Sequence, residues 1–183
     1  MGQSNRKLPP TQLEDLTRKT TFSREELKSW YEKFMKDYPN GFMSQKQFLK
    51  VYQDYYKKGD PSGFSEHVFR VFDANNDGKI DFREFICSLS MTTRGSIDDK
   101  LRWAFHIYDV NGDGRVSINE VSSIVKSVQA LANVHDSNLS EEKLQQYFGK
   151  CDKNSDGTLT VEEFVRGSRQ NPLFMKLLID YIQ

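Results

Sequence analysis

The chain has 183 residues, and its 26 basic and 26 acidic side chains give a formal net charge of zero. This balance argues against a uniformly basic nucleic-acid binder and against an acidic solvating tail, so we expect no nucleic-acid partner. Phe, Tyr and Trp make up 13% of the residues, which is too many large aromatics for a disordered chain, and the length suffices for one compact domain or two small ones.

The N-terminus and the cysteines indicate a compartment. No apolar signal-peptide core follows residues 1–7, and no apolar run reaches the roughly 18 residues that a membrane span needs. Cys87 and Cys151 allow at most one bridge, which fits a reducing environment better than a disulfide scaffold. These features predict a soluble, cytoplasmic chain.

One twelve-residue pattern occurs four times along the chain, and the first copy is damaged. When that copy is aligned on Gly41, Lys36 stands at its first position and Gln47 at its twelfth. A cation and an amide there replace the two strongest carboxylate ligands, and Pro39 restrains the backbone that would wrap an ion. We predict that this first unit is structural and binds no metal.

The next three copies are intact and cover 73–84, 109–120 and 152–163. Each reads Asp-x-Asn-x-Asp-Gly and ends on a glutamate at the twelfth position. Apolar residues flank the copies at three- and four-residue steps, which indicates a helix on either side. The eighth positions, where paired loops would share a short β-bridge, hold Met43, Ile80, Val116 and Leu159. The sequence therefore predicts an all-α fold of helix–loop–helix units paired through short β-bridges.

The intact loops carry the oxygen donors that Ca²⁺ requires. Calcium takes six to eight oxygens, which such a loop supplies from positions one, three, five, seven, nine and twelve, with the backbone carbonyl used at position seven. Glycine at position six permits the sharp turn. The predicted ligands are Asp73, Asn75, Asp77, Lys79, Asp81 and Glu84 in the first intact loop, Asp109, Asn111, Asp113, Arg115, Ser117 and Glu120 in the second, and Asp152, Asn154, Asp156, Thr158, Thr160 and Glu163 in the third.

Carboxylate content distinguishes the three predicted sites. The 73–84 loop has Asp81 at its ninth position and so carries four side-chain carboxylates at ligand positions, whereas Ser117 and Thr160 hold that position in the other two loops. More carboxylates raise affinity for Ca²⁺, but they also suit the smaller Mg²⁺. We predict that the Asp73–Glu84 loop is the site that holds Mg²⁺ at rest.

Beyond the loops, the chain resembles the neuronal calcium sensor family, which includes frequenin, recoverin, hippocalcin and visinin-like proteins. The resemblance covers nearly the whole chain. It rests on Trp30–Phe34 leading into the disabled loop, on Arg94–Ser96 between the pairs of units, and on Lys100–Phe105.

The resemblance implies four EF-hands in two paired lobes. Residues 1–93 would form the N-terminal pair, with a degenerate first hand and a calcium-binding second. Residues 97–183 would form the C-terminal pair, with two calcium-binding hands and a closing C-terminal helix. Segment 94–96 would be the hinge between them.

An N-terminal myristoyl group on Gly2 is also implied, together with calcium-dependent docking to membranes. The general pattern for this modification has Ser or Thr four residues after Gly2, where this chain has Arg6. A single lipid chain gives only marginal binding, so peripheral membrane association would need a second contact.

In the sensor mode of such proteins, Ca²⁺ draws the position-twelve glutamate into the cage, and the exiting helix rotates to open an apolar groove. We expect the groove to accept an amphipathic helix of a target protein, with the chain acting as a monomer or weak dimer. For each residue, core packing is the competing interpretation. The predicted groove residues are Trp30, Phe34, Phe48, Val51, Tyr52, Tyr55, Phe64, Phe69, Phe82, Phe85, Ile86 and Leu89.

The apolar tail after Pro172 has two interpretations. It either plugs the groove until a target displaces it, or it is a helix packed permanently on the last hand.

Three functional classes follow from these patterns. The leading hypothesis is a calcium sensor that regulates membrane receptors, channels or signalling enzymes and is not itself an enzyme. The alternatives are a calcium buffer and an obligate calcineurin-B-like regulatory subunit of an enzyme. Catalysis is disfavoured because the sequence offers no nucleophile–base pair and no phosphate-cradling glycine loop, and its carboxylates are committed as ligands.

Overall fold

The computed structural model describes residues 7–133 and 140–170. Gly2, on which the lipid is predicted, and the predicted C-terminal helix after residue 171 lie outside these ranges. The elements within them are α1 (Pro10–Lys19), α2 (Arg24–Asp37), β1 (Phe42–Ser44), α3 (Gln45–Tyr55), α4 (Ser62–Phe72), β2 (Lys79–Asp81), α5 (Phe82–Arg94), α6 (Ile97–Tyr108), β3 (Val116–Ser117), α7 (Ile118–Ala132), α8 (Glu141–Cys151), β4 (Thr158–Leu159) and α9 (Val161–Gln170).

The loops pair two by two through antiparallel bridges at their eighth positions. Met43 of β1 lies opposite Ile80 of β2, and Val116 of β3 lies opposite Leu159 of β4. All four side chains are buried. The fold is therefore all-α, with four helix–loop–helix hands in two bridged pairs, and the predicted fold class is confirmed.

Each exiting helix begins with a capping box that the loop itself supplies. In α5 the Asp81 carboxylate accepts from the Glu84 N–H at 2.8 Å, and the Glu84 carboxylate accepts from the Asp81 N–H at 3.0 Å. These reciprocal bonds satisfy two backbone donors at the helix N-terminus. The corresponding pairs in the other hands are Ser44–Gln47, Ser117–Glu120 and Thr160–Glu163.

Aromatic side chains form the core of both hand pairs. The Phe34 ring centroid lies 5.6 Å from that of Phe82 and 5.3 Å from that of Phe85, while Phe48 lies 5.6 Å from Phe69. Burying each such ring stabilises the fold by about 1.5–3 kcal/mol. In the second pair the corresponding rings are Phe105, Tyr108 and Phe164.

The two hand pairs contact each other along α4, in what we call the interlobe seam. Helix α4 lies against α6 and α7, and Phe72 meets Trp103 edge to face at 5.8 Å between ring centroids. The turn before α4 reaches the end of α7, where the Asp60 N–H donates at 2.9 Å to a backbone carbonyl. Only glycine fits at position 59, because a Cβ on Gly59 would stand 2.0 Å from the Leu131 carbonyl oxygen.

Of the helices in the described ranges, none is both long enough and apolar enough to cross a bilayer.

Candidate metal sites and the adjoining groove

The first carboxylate of each intact loop is held by backbone amides. In the 73–84 loop, Asp73 is buried, and its two oxygens accept from the Asp77 N–H at 3.0 Å and the Gly78 N–H at 2.8 Å. Asp109 and Asp152 make the same pair of bonds in their own loops. The loop backbone therefore wraps around its first predicted ligand, which brings the carboxylates of positions one and five into one turn.

Two positions of each intact loop adopt left-handed backbone angles. The glycines at position six have φ of +79° at Gly78, +80° at Gly114 and +82° at Gly157, which agrees with the role expected for glycine there. Position four is also left-handed in all three loops, and sequence reasoning missed it. Its residues are Asn76 at +57°, Gly112 at +71° and Ser155 at +58°.

The same position explains the damaged first hand. Its fourth residue is Pro39, whose ring holds φ near −65° and so excludes the left-handed conformation that the intact loops use there. Gly41 keeps its positive φ of +85° and β1 keeps its bridge. The first hand thus retains the glycine turn and the bridging strand, but Pro39 prevents it from adopting the left-handed conformation that the intact loops have at position four.

The position-twelve glutamates connect the loop to the exiting helix. Glu84 caps α5 with Oε2, while its Oε1 accepts from the Asn75 N–H at 3.2 Å across the loop. Glu120 and Glu163 likewise use one oxygen on the helix cap and the other on an amide near the start of the loop. Each glutamate therefore already bridges the two ends of its loop.

The carboxylates of the loops differ in their electrostatic surroundings. Burial raises the pKa of Glu84, with smaller contributions from the neighbouring charges of Asp81 and Asp73. In the last loop, hydrogen bonds from Thr158 above all lower the pKa of Asp156 to about 2, and the backbone amide of Thr160 lowers that of Glu163. In the four-carboxylate loop, burial therefore disfavours the ionised form of Glu84.

The donor set fits a hard cation. Every side-chain donor at the predicted positions is a carboxylate, amide or hydroxyl oxygen, which suits Ca²⁺ and not a metal that prefers nitrogen or sulfur. Within residues 7–133 and 140–170, however, no three Asp, Glu, His or Cys side chains converge closely enough to form a metal cluster. The carboxylates are instead bonded to backbone amides, so an ion would have to draw them inward from these donors.

One contact joins the last two loops directly. The Arg115 guanidinium donates to Asp156 Oδ2 at 2.7 Å and to Thr158 Oγ1 at 2.9 Å. Arg115 is the seventh residue of the 109–120 loop, where sequence reasoning considered only its backbone carbonyl. Its side-chain role could not be read from the sequence, because the contact depends on the register of the β3–β4 bridge.

An apolar cavity of about 440 Å³ lies beside the N-terminal pair. Tyr55 and Val51, at the end of α3, are 76% and 49% exposed, so this wall of the cavity faces solvent. The cavity is lined by Met43, Phe48, Val51, Tyr52, Asp54, Tyr55, Tyr56, Phe72, Phe85, Leu89, Thr92 and Thr93.

The structure divides the predicted groove residues into two groups. Those that line the cavity are Phe48, Val51, Tyr52, Tyr55, Phe85 and Leu89. The others pack in the core of the same hand pair, with Trp30 half-buried, and are Trp30, Phe34, Phe64, Phe69, Phe82 and Ile86. For the second group the core-packing interpretation describes this conformation, and a place in an open groove stays a prediction. The predicted groove did not include Met43, Tyr56 and Phe72, which lie in β1, directly after α3 and at the end of α4.

Comparison with known proteins relates these features to a family. The profile of an EF-hand domain pair matches residues 98–169, and that of a single EF hand domain matches residues 66–92. Neuronal calcium sensor 1 of Lymnaea stagnalis is 42% identical, over 97% of this chain and 96% of that protein. Human recoverin is 42% identical over 91% of this chain and 86% of its own length, and visinin of Gallus gallus is 32% identical over 91% and 90%. At this identity over almost its whole length, the chain belongs to the neuronal calcium sensor family of EF-hand proteins, as the sequence resemblance predicts.

Proposed function

We propose that the chain binds three Ca²⁺ ions and converts their binding into the opening of the cavity beside the N-terminal pair. In each intact loop the side chains at positions one, three, five and twelve would hold the ion. The seventh position of each loop would contribute its backbone carbonyl oxygen, from Lys79, Arg115 and Thr158 in turn. Asp81, Ser117 and Thr160 would contribute at the ninth, directly or through water.

One observation carries the coupling of ion to cavity. Phe72 and Phe85 both line the cavity, and each is the immediate chain neighbour of a predicted ligand, Asp73 and Glu84. A backbone movement that draws Asp73 and Glu84 toward an ion would therefore displace two walls of the cavity. A single peptide bond joins each predicted ligand to its aromatic neighbour, so a backbone displacement at the ligand would be passed directly to the cavity wall.

Substitution of the three glutamates tests the proposed sites one at a time. Gln47 supports the first hand's capping box with an amide oxygen, so Glu84→Gln, Glu120→Gln and Glu163→Gln should each keep the helix cap and lose the charged ligand. Calorimetric titration should show each variant binding about one Ca²⁺ fewer than the unsubstituted chain. An unchanged stoichiometry in any variant contradicts the assignment of that site.

The same variants test the magnesium proposal. With four carboxylates at ligand positions, the Asp73–Glu84 loop is the one proposed to hold Mg²⁺ at rest. Glu84→Gln should therefore remove most of the heat of Mg²⁺ binding, whereas Glu120→Gln and Glu163→Gln should leave it. Equal Mg²⁺ binding in Glu84→Gln and the unsubstituted chain contradicts the proposal.

The occupant proposed for the opened cavity is the apolar face of an amphipathic helix from a target protein. Val51 and Ile97 provide a matched pair for the test: they are 49% and 56% exposed, and only Val51 lines the cavity. Val51 is about half exposed, so burying the rest of it against a partner is worth about 0.8–1.5 kcal/mol, and Val51→Ser should weaken calcium-dependent binding of a synthetic amphipathic peptide about four- to tenfold. Ile97→Ser should leave it unchanged.

The alternative functions predict different observations in the peptide titration and during purification. A calcium buffer would bind the ions and show no calcium-dependent affinity for the peptide. An obligate regulatory subunit would be recovered only together with its catalytic partner.

Equal peptide binding in Val51→Ser and Ile97→Ser would contradict the proposal that the peptide docks in the cavity.

We propose further that Gly2 carries a myristoyl group and that the protein associates peripherally with cytoplasmic membrane surfaces. The family resemblance supports the lipid, and Arg6, Lys7 and Arg18 would supply the second, electrostatic contact. Lys19 contributes less because its amine pairs with Asp15 at 3.1 Å. The intact mass of the chain co-expressed with a myristoyl transferase tests this, since an unmodified Gly2 contradicts it.

A further inference from the structure

Arg115 connects the two loops of the C-terminal pair through side chains. It belongs to the 109–120 loop, yet its guanidinium lies on the carboxylate of Asp156 in the 152–163 loop, with a second bond to Thr158. The antiparallel β3–β4 bridge sets Val116 opposite Leu159, which places the preceding residue Arg115 level with Thr160, and from there its guanidinium reaches diagonally to Thr158 and Asp156. The contact therefore follows from the pairing of the loops.

Asp156 is fully engaged by these and other donors. Its Oδ1 accepts from the Thr158 N–H at 2.9 Å and the Thr158 hydroxyl at 2.8 Å, and its Oδ2 accepts from Asn154 Nδ2 at 2.9 Å and from Arg115 at 2.7 Å. The equivalent residue in the neighbouring loop, Asp113, accepts from the Arg115 N–H and from Asn111. The Arg115 N–H thus donates to the position-five carboxylate of its own loop, and the Arg115 guanidinium donates to the position-five carboxylate of the next loop.

We propose that Arg115 lowers the Ca²⁺ affinity of the last hand. Its guanidinium holds Asp156, the position-five ligand, and its positive charge competes with the ion for that carboxylate. The inference rests on the proposed function, in which Asp156 is a ligand of the third Ca²⁺. A divalent ion in this loop must share Asp156 with the guanidinium or displace it, and either course costs binding free energy.

The direction of the effect follows from charge. The guanidinium is ionised at every physiological pH, so its repulsion of the ion is constant. Because Arg115 and Asp156 are both partly exposed, with side chains 49% and 34% accessible, solvent screens the interaction. For a single charge next to a divalent ion under these conditions, we expect the affinity of the last hand to change by about three- to tenfold.

The chain offers a matched control in the same lobe. Arg102 pairs with Glu162 at 3.5 Å, and the two side chains are 51% and 69% accessible. Glu162 is not a predicted ligand. Arg102→Gln therefore removes the same charge from a comparable surface pair without touching a ligand, whereas Arg115→Gln removes it from a ligand. Arg115→Lys keeps the charge but replaces the guanidinium, whose Nη1 donates to both Asp156 and Thr158, with a compact and more strongly hydrated ammonium.

The test is a Ca²⁺ titration of the full chain in chelator buffers, monitored through the NMR signals of backbone amides. The position-six amides of Gly78, Gly114 and Gly157 each donate to the first carboxylate of their own loop, so each reports one hand. In Arg115→Gln the Gly157 midpoint should move to a three- to tenfold lower free Ca²⁺ concentration, while the Gly78 midpoint moves less than twofold. In Arg102→Gln both midpoints should stay, and Arg115→Lys should fall between Arg115→Gln and the unsubstituted chain.

The outcomes separate this inference from the function on which it rests. A Gly157 midpoint that is unchanged or higher in Arg115→Gln overturns the inference and leaves the third site intact. An equal shift in Arg102→Gln overturns it as well, because the effect would then be general electrostatics. If the Gly157 amide of the unsubstituted chain does not respond to Ca²⁺, the third proposed site fails, and the inference fails with it.

Discussion

Pro39 restricts the backbone of the first hand at the fourth position of its loop. The intact hands place Asn76, Gly112 and Ser155 at the equivalent position with φ between +57° and +71°. Asparagine and glycine enter this region at low cost, serine at a higher one, and proline not at all. The prediction that the first hand binds no metal therefore rests on its backbone at position four as well as on the cation at its first position.

Gly149 and Gly167, two helical glycines of the last hand, lie in opposite environments. A Cβ on Gly167 would stand 2.1 Å from Cys151 Sγ and 2.7 Å from Cys151 Cβ, whereas one on Gly149 would meet nothing within 4 Å. We expect Gly167→Ala to lower the free energy of unfolding by about 1–3 kcal/mol through overpacking. Gly149→Ala should raise it by about 0.5–1 kcal/mol, because alanine favours the helix.

Urea denaturation of the two alanine variants measures both effects in one lobe. A Gly167→Ala variant as stable as the unsubstituted chain would show that α8 and α9 separate at little cost, contrary to their close packing around Cys151.

The exiting helices use their first turn for two purposes. Positions nine and twelve of a loop are also the N-cap and third residue of the helix, so one carboxylate serves the helix terminus and the proposed ion site. The first hand separates these roles, because Ser44 and Gln47 retain the cap after the ligand has been lost. Helix formation alone therefore does not require a glutamate at position twelve.

Helices α2 and α5 are joined at their ends by Glu26 and Arg94. Arg94 donates to both carboxylate oxygens of Glu26, and its guanidinium lies 4.3 Å from the centroid of the Phe22 ring. This pairing, with the Ser23 N–H, lowers the pKa of Glu26 from its ordinary value near 4.5 to about 2. Because the folded pKa is the lower one, the stabilisation is fully present above about pH 5 and is lost as the pH falls toward 2.

Glu26→Gln tests this pH dependence. Glutamine can keep the capping box, as Gln47 does, while it removes the charge and one of the two oxygens that accept from Arg94. The stability difference between the unsubstituted chain and Glu26→Gln should be largest near neutral pH and should shrink between about pH 5 and pH 2. Thermal unfolding across this range measures it, with Glu25→Gln as the control for losing one charge in the same helical turn. A difference that does not change with pH would contradict the assigned pKa.

At the scale of the whole molecule, Arg70 ties the two hand pairs together. It stands on the last turn of α4, and its guanidinium donates to the carbonyl oxygens of His106 and Ile107 at 3.0 Å and of Asp109 at 2.7 Å. Those carbonyls end α6 and begin the 109–120 loop. One half-buried side chain therefore links the helix that enters the second hand to the start of the third, across the interlobe seam.

We expect Arg70→Met to lower the free energy of unfolding by about 1.5–3 kcal/mol, because three hydrogen bonds to a charged group are lost. Arg70→Lys should fall in between, since an ammonium cannot serve the three carbonyls in the same planar geometry. Arg102→Met, which removes an exposed arginine, should change stability by less than about 0.5 kcal/mol.

Denaturation followed by tryptophan fluorescence suits the Arg70 measurement, because Trp103 lies in the seam. Equal stability of Arg70→Met and Arg102→Met would mean that the seam does not depend on Arg70.

Much of this protein was readable from the amino-acid sequence, because an EF-hand loop is a local object. Asp73, Gly78 and Glu84 lie within twelve residues, so their spacing alone predicts the turn, the donor set and the flanking helices. The all-α fold and the two β-bridges followed from the same repeat, whereas the family resemblance rested on segments outside the intact loops, such as Trp30–Phe34 and Lys100–Phe105.

The remaining features depend on residues far apart in the chain. The partner of Arg115 in the next loop, the carbonyls that bind Arg70, and the division of the aromatics between cavity and core are set by the docking of whole elements. Helical periodicity indicates that one face of a helix is buried, but not against which neighbour. Phe82 and Phe85 share one predicted stripe, yet the first is packed in the core and the second lines the cavity, because Phe82 packs against Tyr31 and Phe34 of α2 while Phe85 borders the cavity.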